Sequence, residues 1–177
     1  RTSRGLGDVY KRQIYDYDEK DENILISMKR GEKKRVKRNN KIYKKFSDHI
    51  GFIPLVIISP DDRNLIIEGS ETRRKFIDGL ISQIDKEYLS KLIEYNKTLK
   101  QRNALLKMFF NQTEKLKKTI DIYDNSLSSS ASIIFNKRSE FLKDFVPIFK
   151  KRYKQLSNEK ESVEIEYKSD IKNLFGV

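Results

Sequence analysis

The stretch Ile57–Lys107, IISPDDRNLIIEGSETRRKFIDGLISQIDKEYLSKLIEYNKTLKQRNALLK, decides how this chain is read. Ser59 is a favoured helix N-cap, and Pro60 suits the first helical position because the N–H it lacks would go unpaired there. Asp61 and Asp62 place negative charge at the positive helix end. Gly69 is expected to close this short helix and Ser70 to cap a second one, which Arg73 and Arg74 open. A long helix then runs toward Gln101-Arg102-Asn103. Along it, Tyr88, Leu92, Tyr95, Leu99, Arg102, Leu106 and Phe109 recur at alternating spacings of four and three, a seam for a partner helix. Arg102 interrupts that seam. A charge there is costly unless paired, and Glu114, Asp121 and Asp124 of the following helix are the candidate partners.

The following helix is announced by Asn111 with Glu114 three residues on. It carries Leu116, Ile120, Tyr123, Leu127, Ala131, Ile134, Phe141 and Phe145. Its small-residue stretch, Ser126–Ser132, permits close helix approach. The two helices predict an antiparallel hairpin, with Pro147 ending or kinking the second and Ile148–Leu156 continuing as a third helical piece. Ser157-Asn158-Glu159 reads as a turn. In Ser162–Tyr167, Val163, Ile165 and Tyr167 alternate with Glu164 and Glu166, the pattern of a strand with one buried face.

Upstream of the opening stretch, Ile24–Met28, Lys33–Lys37 and Ile42-Tyr43 read as short strands of a β-meander at a sheet margin. Turns at Lys29–Glu32 and Asn39-Asn40 separate them. Pro54–Ile58, an unbroken apolar run bounded by Pro54 and Pro60, reads as a buried central strand. The single histidine, His49, reads as a turn residue. Lys33, Lys34, Arg35, Lys37 and Arg38 form the densest basic cluster: either a phosphate contact or a solvated hairpin whose charges guard its edges.

The first residues stand apart. Ser3–Gln13 is one translated frame of a transposon-type sequencing adapter, in which GAT GTG TAT AAG AGA CAG gives Asp8–Gln13. Residues 1–13 are therefore read as a non-native, adapter-derived leader without a structural role. They hold four cations and one acid, so +9 of the net charge of +12 remains without them. A basic balance favours polyanionic partners.

The chain has no cysteine, which excludes a disulfide framework, a thiolate zinc site and a thiol nucleophile. No apolar run approaches the ~20 residues of a membrane span, and no secretory signal is visible; a cytoplasmic location and no membrane partner are expected. There is no GxxxxGK[ST] loop and no apolar strand ending in paired acids. The acidic pairs Asp61-Asp62 and Asp16-x-Asp18 have ordinary cap and loop explanations, and no metal site is expected. Arg73 and Arg74 oppose the helix dipole where they stand. Such a pair calls for an acidic target, either the carboxylate of Asp61 or Asp62 or a nucleic-acid phosphate.

Three separate motifs carry a resemblance: Ser59-Pro60-Asp61-Asp62; Gly69-Ser70 with Arg73-Arg74-Lys75-Phe76-Ile77-Asp78; and Tyr95-x-x-x-Leu99-x-Gln101-Arg102-Asn103-x-Leu105-Leu106-Lys107. In order and spacing they resemble the RecF family, bacterial DNA replication and repair proteins of the SMC/ABC-type ATPase class, over roughly Ile24 to the C-terminus. The resemblance implies an α+β fold: part of an ABC/SMC-like head sheet (14–58), an inserted helical lobe with a long antiparallel hairpin (59–156), and a strand returning to the head (157–177). It implies an interior fragment that lacks the phosphate loop, signature and Walker B motifs, and so is inactive alone. It further implies ATP and Mg in the parent, a weak ATPase, and none bound by this fragment. Implied partners are duplex DNA, single-strand/duplex junctions, RecR/RecO-type mediators and, at full length, an ATP-dependent homodimer. The implied role is loading recombinase at replication gaps, within the SOS response. Ser59 and Asp61 would sit at the edge of the nucleotide site. Arg73, Arg74 and Lys75 at the head–lobe junction, with the cluster Lys33 to Arg38, would touch DNA, and Arg102 and Asp78 would be structural. The rival reading is a non-enzymatic helical or coiled-coil interaction scaffold that binds protein.

Overall fold

The computed structural model describes residues 9–17, 20–108 and 113–170, which form two compact units, Arg1–Val56 and Ile57–Val177. The expected cap Asn111 and the last seam residue, Phe109, lie outside the described residues, as does the side chain of the cap partner Glu114.

The first unit is an antiparallel meander in the order β1-β2-β3-β4: β1 Val9–Tyr17, β2 Lys20–Met28, β3 Arg35–Arg38 and β4 Lys41–Ile42. Strand β1 corrects the expectation for the leader. Its register runs from Val9↔Met28 to Tyr17↔Lys20, so Val9–Gln13 pair with Ile24–Met28 and take part in the sheet. Residues 1–8 lie outside the described residues. The two turns fall where expected. Asn39 and Asn40 both have positive φ, 47° and 67°, which suits the two-residue hairpin joining β3 to β4. Gly31 supplies φ 82° between β2 and β3, a conformation that strains any L side chain. Ile24 and Val36 are the buried apolar side chains of this small sheet among the described residues.

The run Pro54–Ile58 is not a buried strand. It has no ladder partner and is exposed throughout, with Ile58 at 88%. Five apolar residues specify a strand only when a neighbouring strand accepts their N–H and C=O groups, and among the described residues none lies beside them.

The second unit is helical. A 3-10 turn, Pro60–Arg63, leads into α1 Asn64–Ile67, followed by α2 Ser70–Ile84, α3 Lys86–Met108 and α4 Thr113–Leu156. Gly69, not Ser70, occupies the N-cap of α2, one residue before the expected cap. Helices α3 and α4 pack as the expected hairpin. Pro147 does not end α4, which continues through it to Leu156. The core is Ile81, Tyr88 and Ile134, with Ile77, Leu92, Tyr95 and Phe141 against them. Ser130 and Thr98 are also buried, as small residues permit where helices approach closely. Positive φ at Asn158 and Glu159 (50° and 62°), with the Glu159 N–H bonded to the Lys154 carbonyl at 2.9 Å, closes α4. The predicted strand Ser162–Tyr167 is an extended segment without a ladder. It lies against α4 instead: the Tyr153 hydroxyl donates to Glu161 at 2.6 Å, and the Tyr167 ring stacks on Phe135 with centroids 5.6 Å apart. The predicted alternation survives only in part: Val163 and Tyr167 are half-buried, but Ile165 is exposed along with Glu164 and Glu166.

Candidate nucleic-acid interface

The cations of the hairpin cluster divide by what they touch. Arg38 is held. Its guanidinium makes two bonds to Glu22, Nε at 2.9 Å and a terminal nitrogen at 2.6 Å, and stacks over Phe52 at 3.7 Å. Hydrogen bonding to Glu22 holds Arg38 well above the ordinary guanidinium range, against the opposing effect of burial. Asn39 donates a further bond to the same carboxylate at 2.6 Å. Glu22 is thus a buried acid at the centre of a small network that the sequence reading did not find. Arg35 pairs with Glu32 at 3.3 Å, and Lys34 lies 5.2 Å over the Phe46 ring. Lys33 and Lys37 carry no acidic partner among the described residues, and Lys33 is exposed.

His49 closes the 3-10 turn Phe46–His49 inside a ring of Tyr43, Phe46 and Phe52, with centroids 5.5, 6.4 and 6.2 Å away. Burial first, then the charges of Arg38 and Lys34, push the imidazole pKa below its ordinary value. It is a packing residue of an aromatic cluster.

In the helical unit the three basic residues of α2 are engaged locally. Arg73 donates to two carbonyls that end α1, Leu65 at 3.0 Å and Glu68 at 2.9 Å. The first helical turn of α2 therefore caps the helix before it, which accounts for an arginine in an unfavourable dipole position. Arg74 donates to the Ser70 hydroxyl at 2.9 Å, and Lys75 pairs with Glu71 at 2.7 Å on the exposed face. None of the three holds Asp61, Asp62 or Asp78. At the 3-10 turn it is Asp62, not Asp61, that reaches back, accepting the Ser59 backbone N–H at 2.7 Å; Asp61 is exposed.

Asp78 belongs to a different centre. Its carboxylate accepts the Tyr88 hydroxyl at 2.5 Å and two bonds from Arg138, both at 2.8 Å, so α2, α3 and α4 meet at one acid. The side chains of Asp78 and Arg138 are only 14% and 16% exposed, and Tyr88 is fully buried. Burial and the Asp78 hydrogen bond push the Tyr88 phenol well up, so it remains a donor at every physiological pH. Burial alone would lower Arg138; the hydrogen bonds it makes to Asp78 and Tyr167 outweigh it and hold the guanidinium charged. A parallel tie, Lys137 to Asp85 at 2.8 Å, stands beside it, while the Asp85 side chain also accepts the Tyr88 N–H at the start of α3. Arg138 escaped the sequence reading because it stands 60 residues from Asp78 and outside the apolar seam. Arg102 is paired as expected, with Asp124 at 2.5 Å, but the pair is 28% and 45% exposed and so is a surface bridge.

A four-stranded meander joined in sequence to a lobe built on a long antiparallel helical hairpin is the α+β arrangement of the ABC/SMC-like ATPase class. No family model matches the chain. It is 52% identical over 154 residues to the DNA replication and repair protein RecF of Flavobacterium johnsoniae, covering 87% of this chain and 43% of that protein. It is 46% identical over 157 residues to RecF of Phocaeicola vulgatus, covering 88% and 42%. Among solved structures it matches the recombination mediator protein RecF in its RecF-ATPrS form with a TM-score of 0.83 and 32% identity, over 93% of this chain and 44% of that one. The RecF-ATP form matches at 0.79 and 30%, over 97% and 47%. The chain belongs to the RecF family. It spans about two fifths of the length of the curated relatives it matches. Among the described residues no group of acids or histidines could hold a metal, and no helix is long and apolar enough to cross a membrane.

Proposed function

We propose that this chain is the arm-bearing portion of a RecF-type recombination mediator. In the whole protein it would act in a cytoplasmic, ATP- and Mg-dependent dimer that engages duplex DNA and single-strand/duplex junctions. There it would work with RecR/RecO-type partners to load recombinase, within the SOS response. The observation that carries this reading is the likeness, at 30–32% identity over nearly the whole chain, to a recombination mediator solved in ATP and ATPrS forms. The scaffold reading predicts no such likeness. Ser59 and Asp61 are assigned to the edge of the nucleotide site. DNA contacts are assigned to Lys33 and Lys37 first, with Lys34, Arg35, Arg38, Arg73, Arg74 and Lys75 behind them, because the latter already have local partners. Residues 14–177 alone would not turn over ATP, since they hold no phosphate-binding loop.

A chimera tests the reading. Residues 24–177 replace the matching segment of the Flavobacterium johnsoniae relative. The chimera should fold, dimerise with ATP and bind gapped DNA as the parent does. A folded chimera that dimerises with ATP but no longer binds DNA would refute the assignment.

A further inference from the structure

The far half of the helical hairpin carries cations that the fold leaves without partners. Between Asn96 and Ile120 the sequence holds seven cations against one acid, Glu114, a net of +6 and half the charge of the whole chain. Arg102 is taken by Asp124. Lys97, Lys100, Lys107, Lys117 and Lys118 are exposed and have no acidic partner among the described residues. This differs from Arg38, Arg35, Lys75 and Arg73 of the clusters named above, where a phosphate would have to displace Glu22, Glu32, Glu71 or the α1 carbonyls.

On α3 the steps of four, three and four from Asn96 to Lys100, Asn103 and Lys107 set these four residues on one line of the helix. With Leu99 and Ala104 they border a shallow groove of about 440 Å³. We infer that this line is a docking surface for the phosphate backbone of duplex DNA, with Lys100 and Lys107 as charge contacts and the amides of Asn96 and Asn103 as donors. Lys100 and Lys107 stand about 10 Å apart along the helix, roughly three phosphate steps of one strand. Phosphate contacts of this kind draw on lysine and asparagine side chains. A protein-binding face would instead concentrate aromatic side chains and exclude lysine from its centre. The inference rests on the DNA-binding reading above and adds a site to it.

The test is fluorescence anisotropy of the full chain with a labelled duplex DNA of arbitrary sequence, across a series of salt concentrations. The K100Q/K107Q variant should keep the parent melting temperature, since both side chains are exposed. Its log–log salt dependence should be shallower by about 1.8, two phosphate contacts at ~0.9 each. An unchanged slope in a variant whose parent binds DNA would overturn this site alone. A parent chain that binds no duplex at all would overturn the DNA-binding reading with it. Loss of binding to poly-glutamate with an unchanged DNA slope would assign the face to an acidic protein and overturn the inference.

Discussion

Replacing Asp78 is the sharpest test of how the helical unit is held. The carboxylate accepts three charge-assisted or phenolic hydrogen bonds, from Tyr88 and twice from Arg138, at a point where three helices converge. Asp78→Ala leaves a guanidinium at 16% exposure with burial still acting against its charge, and with the Tyr88 hydroxyl, 3.2 Å from Nε, and Tyr167 as its remaining polar neighbours. Breaking a buried pair from one side costs roughly 3–5 kcal/mol, a large share of the ~5–15 kcal/mol by which domains are stable. Arg138→Leu strands the carboxylate and should cost about as much. The double variant removes both charges, so its loss should fall short of the summed singles by at least ~2 kcal/mol. Tyr88→Phe removes one donor and leaves the bidentate bridge intact, for about 1.5 kcal/mol. Urea unfolding followed by far-UV circular dichroism gives all four values, provided the slope with denaturant is unchanged. Should Asp78→Ala not fold, Asp78→Asn keeps the shape and gives the milder version. Single losses below ~1 kcal/mol, or strict additivity in the double, would show that the network is solvated and carries no structural weight.

Arg102→Ala should cost only about 0.5–1 kcal/mol, because its bridge to Asp124 is a part-exposed surface pair; a measured loss above ~3 kcal/mol would mean the seam closes over it. His49 predicts an acid limb of stability. Its folded pKa lies below the ordinary 6.5, so between those two values the unfolded chain binds the extra proton. Stability of the sheet unit is therefore full above pH ~6.5 and falls as pH drops toward the folded value. Thermal melts from pH 5 to 7.5 should show this slope in the parent and a flatter one in His49→Gln. Arg73→Ala should lower stability by about 1–2 kcal/mol through the two uncapped α1 carbonyls, with no change in the salt dependence of DNA binding; a flattened slope instead would make Arg73 a phosphate contact.

The helical hairpin was legible because its information is local. A four-three repeat of apolar side chains specifies a seam without knowledge of the partner, and the one charge on it named its own partner set, from which Asp124 was selected. The asparagine turn was legible for the same reason: two residues that tolerate positive φ sit side by side. Strands are different. Pro54–Ile58 and Ser162–Tyr167 carry the right side chains, yet a strand exists only through the backbone of another segment, and neither has a ladder among the described residues. Strand β1 shows the converse: Val9–Gln13 join the sheet because Ile24–Met28 offer them a ladder, not because their own sequence announces a strand. The Asp78–Tyr88–Arg138 centre could not be found from spacing, since its members belong to three helices and only Tyr88 lies on the apolar seam.

Counting cations in the sequence locates basic clusters, but it does not locate basic sites. A lysine or arginine that already holds a carboxylate has a local counter-ion, and bringing a phosphate to it exchanges one ion pair for another. Arg38 with Glu22, Arg35 with Glu32 and Lys75 with Glu71 are in that position. An unpaired lysine in water has only mobile ions to release, on the DNA side as well as its own, and that release is the source of the affinity. By this criterion the densest cluster in the sequence, Lys33 to Arg38, is reduced to Lys33 and Lys37 as unpartnered contacts, with Lys34 already over a ring. The distal line of α3, sparse in the sequence, gains weight because the stretch from Tyr95 to Thr113 contains no acid at all. The relevant count for binding is therefore of cations without partners on one face, a quantity that exists only after the chain has folded.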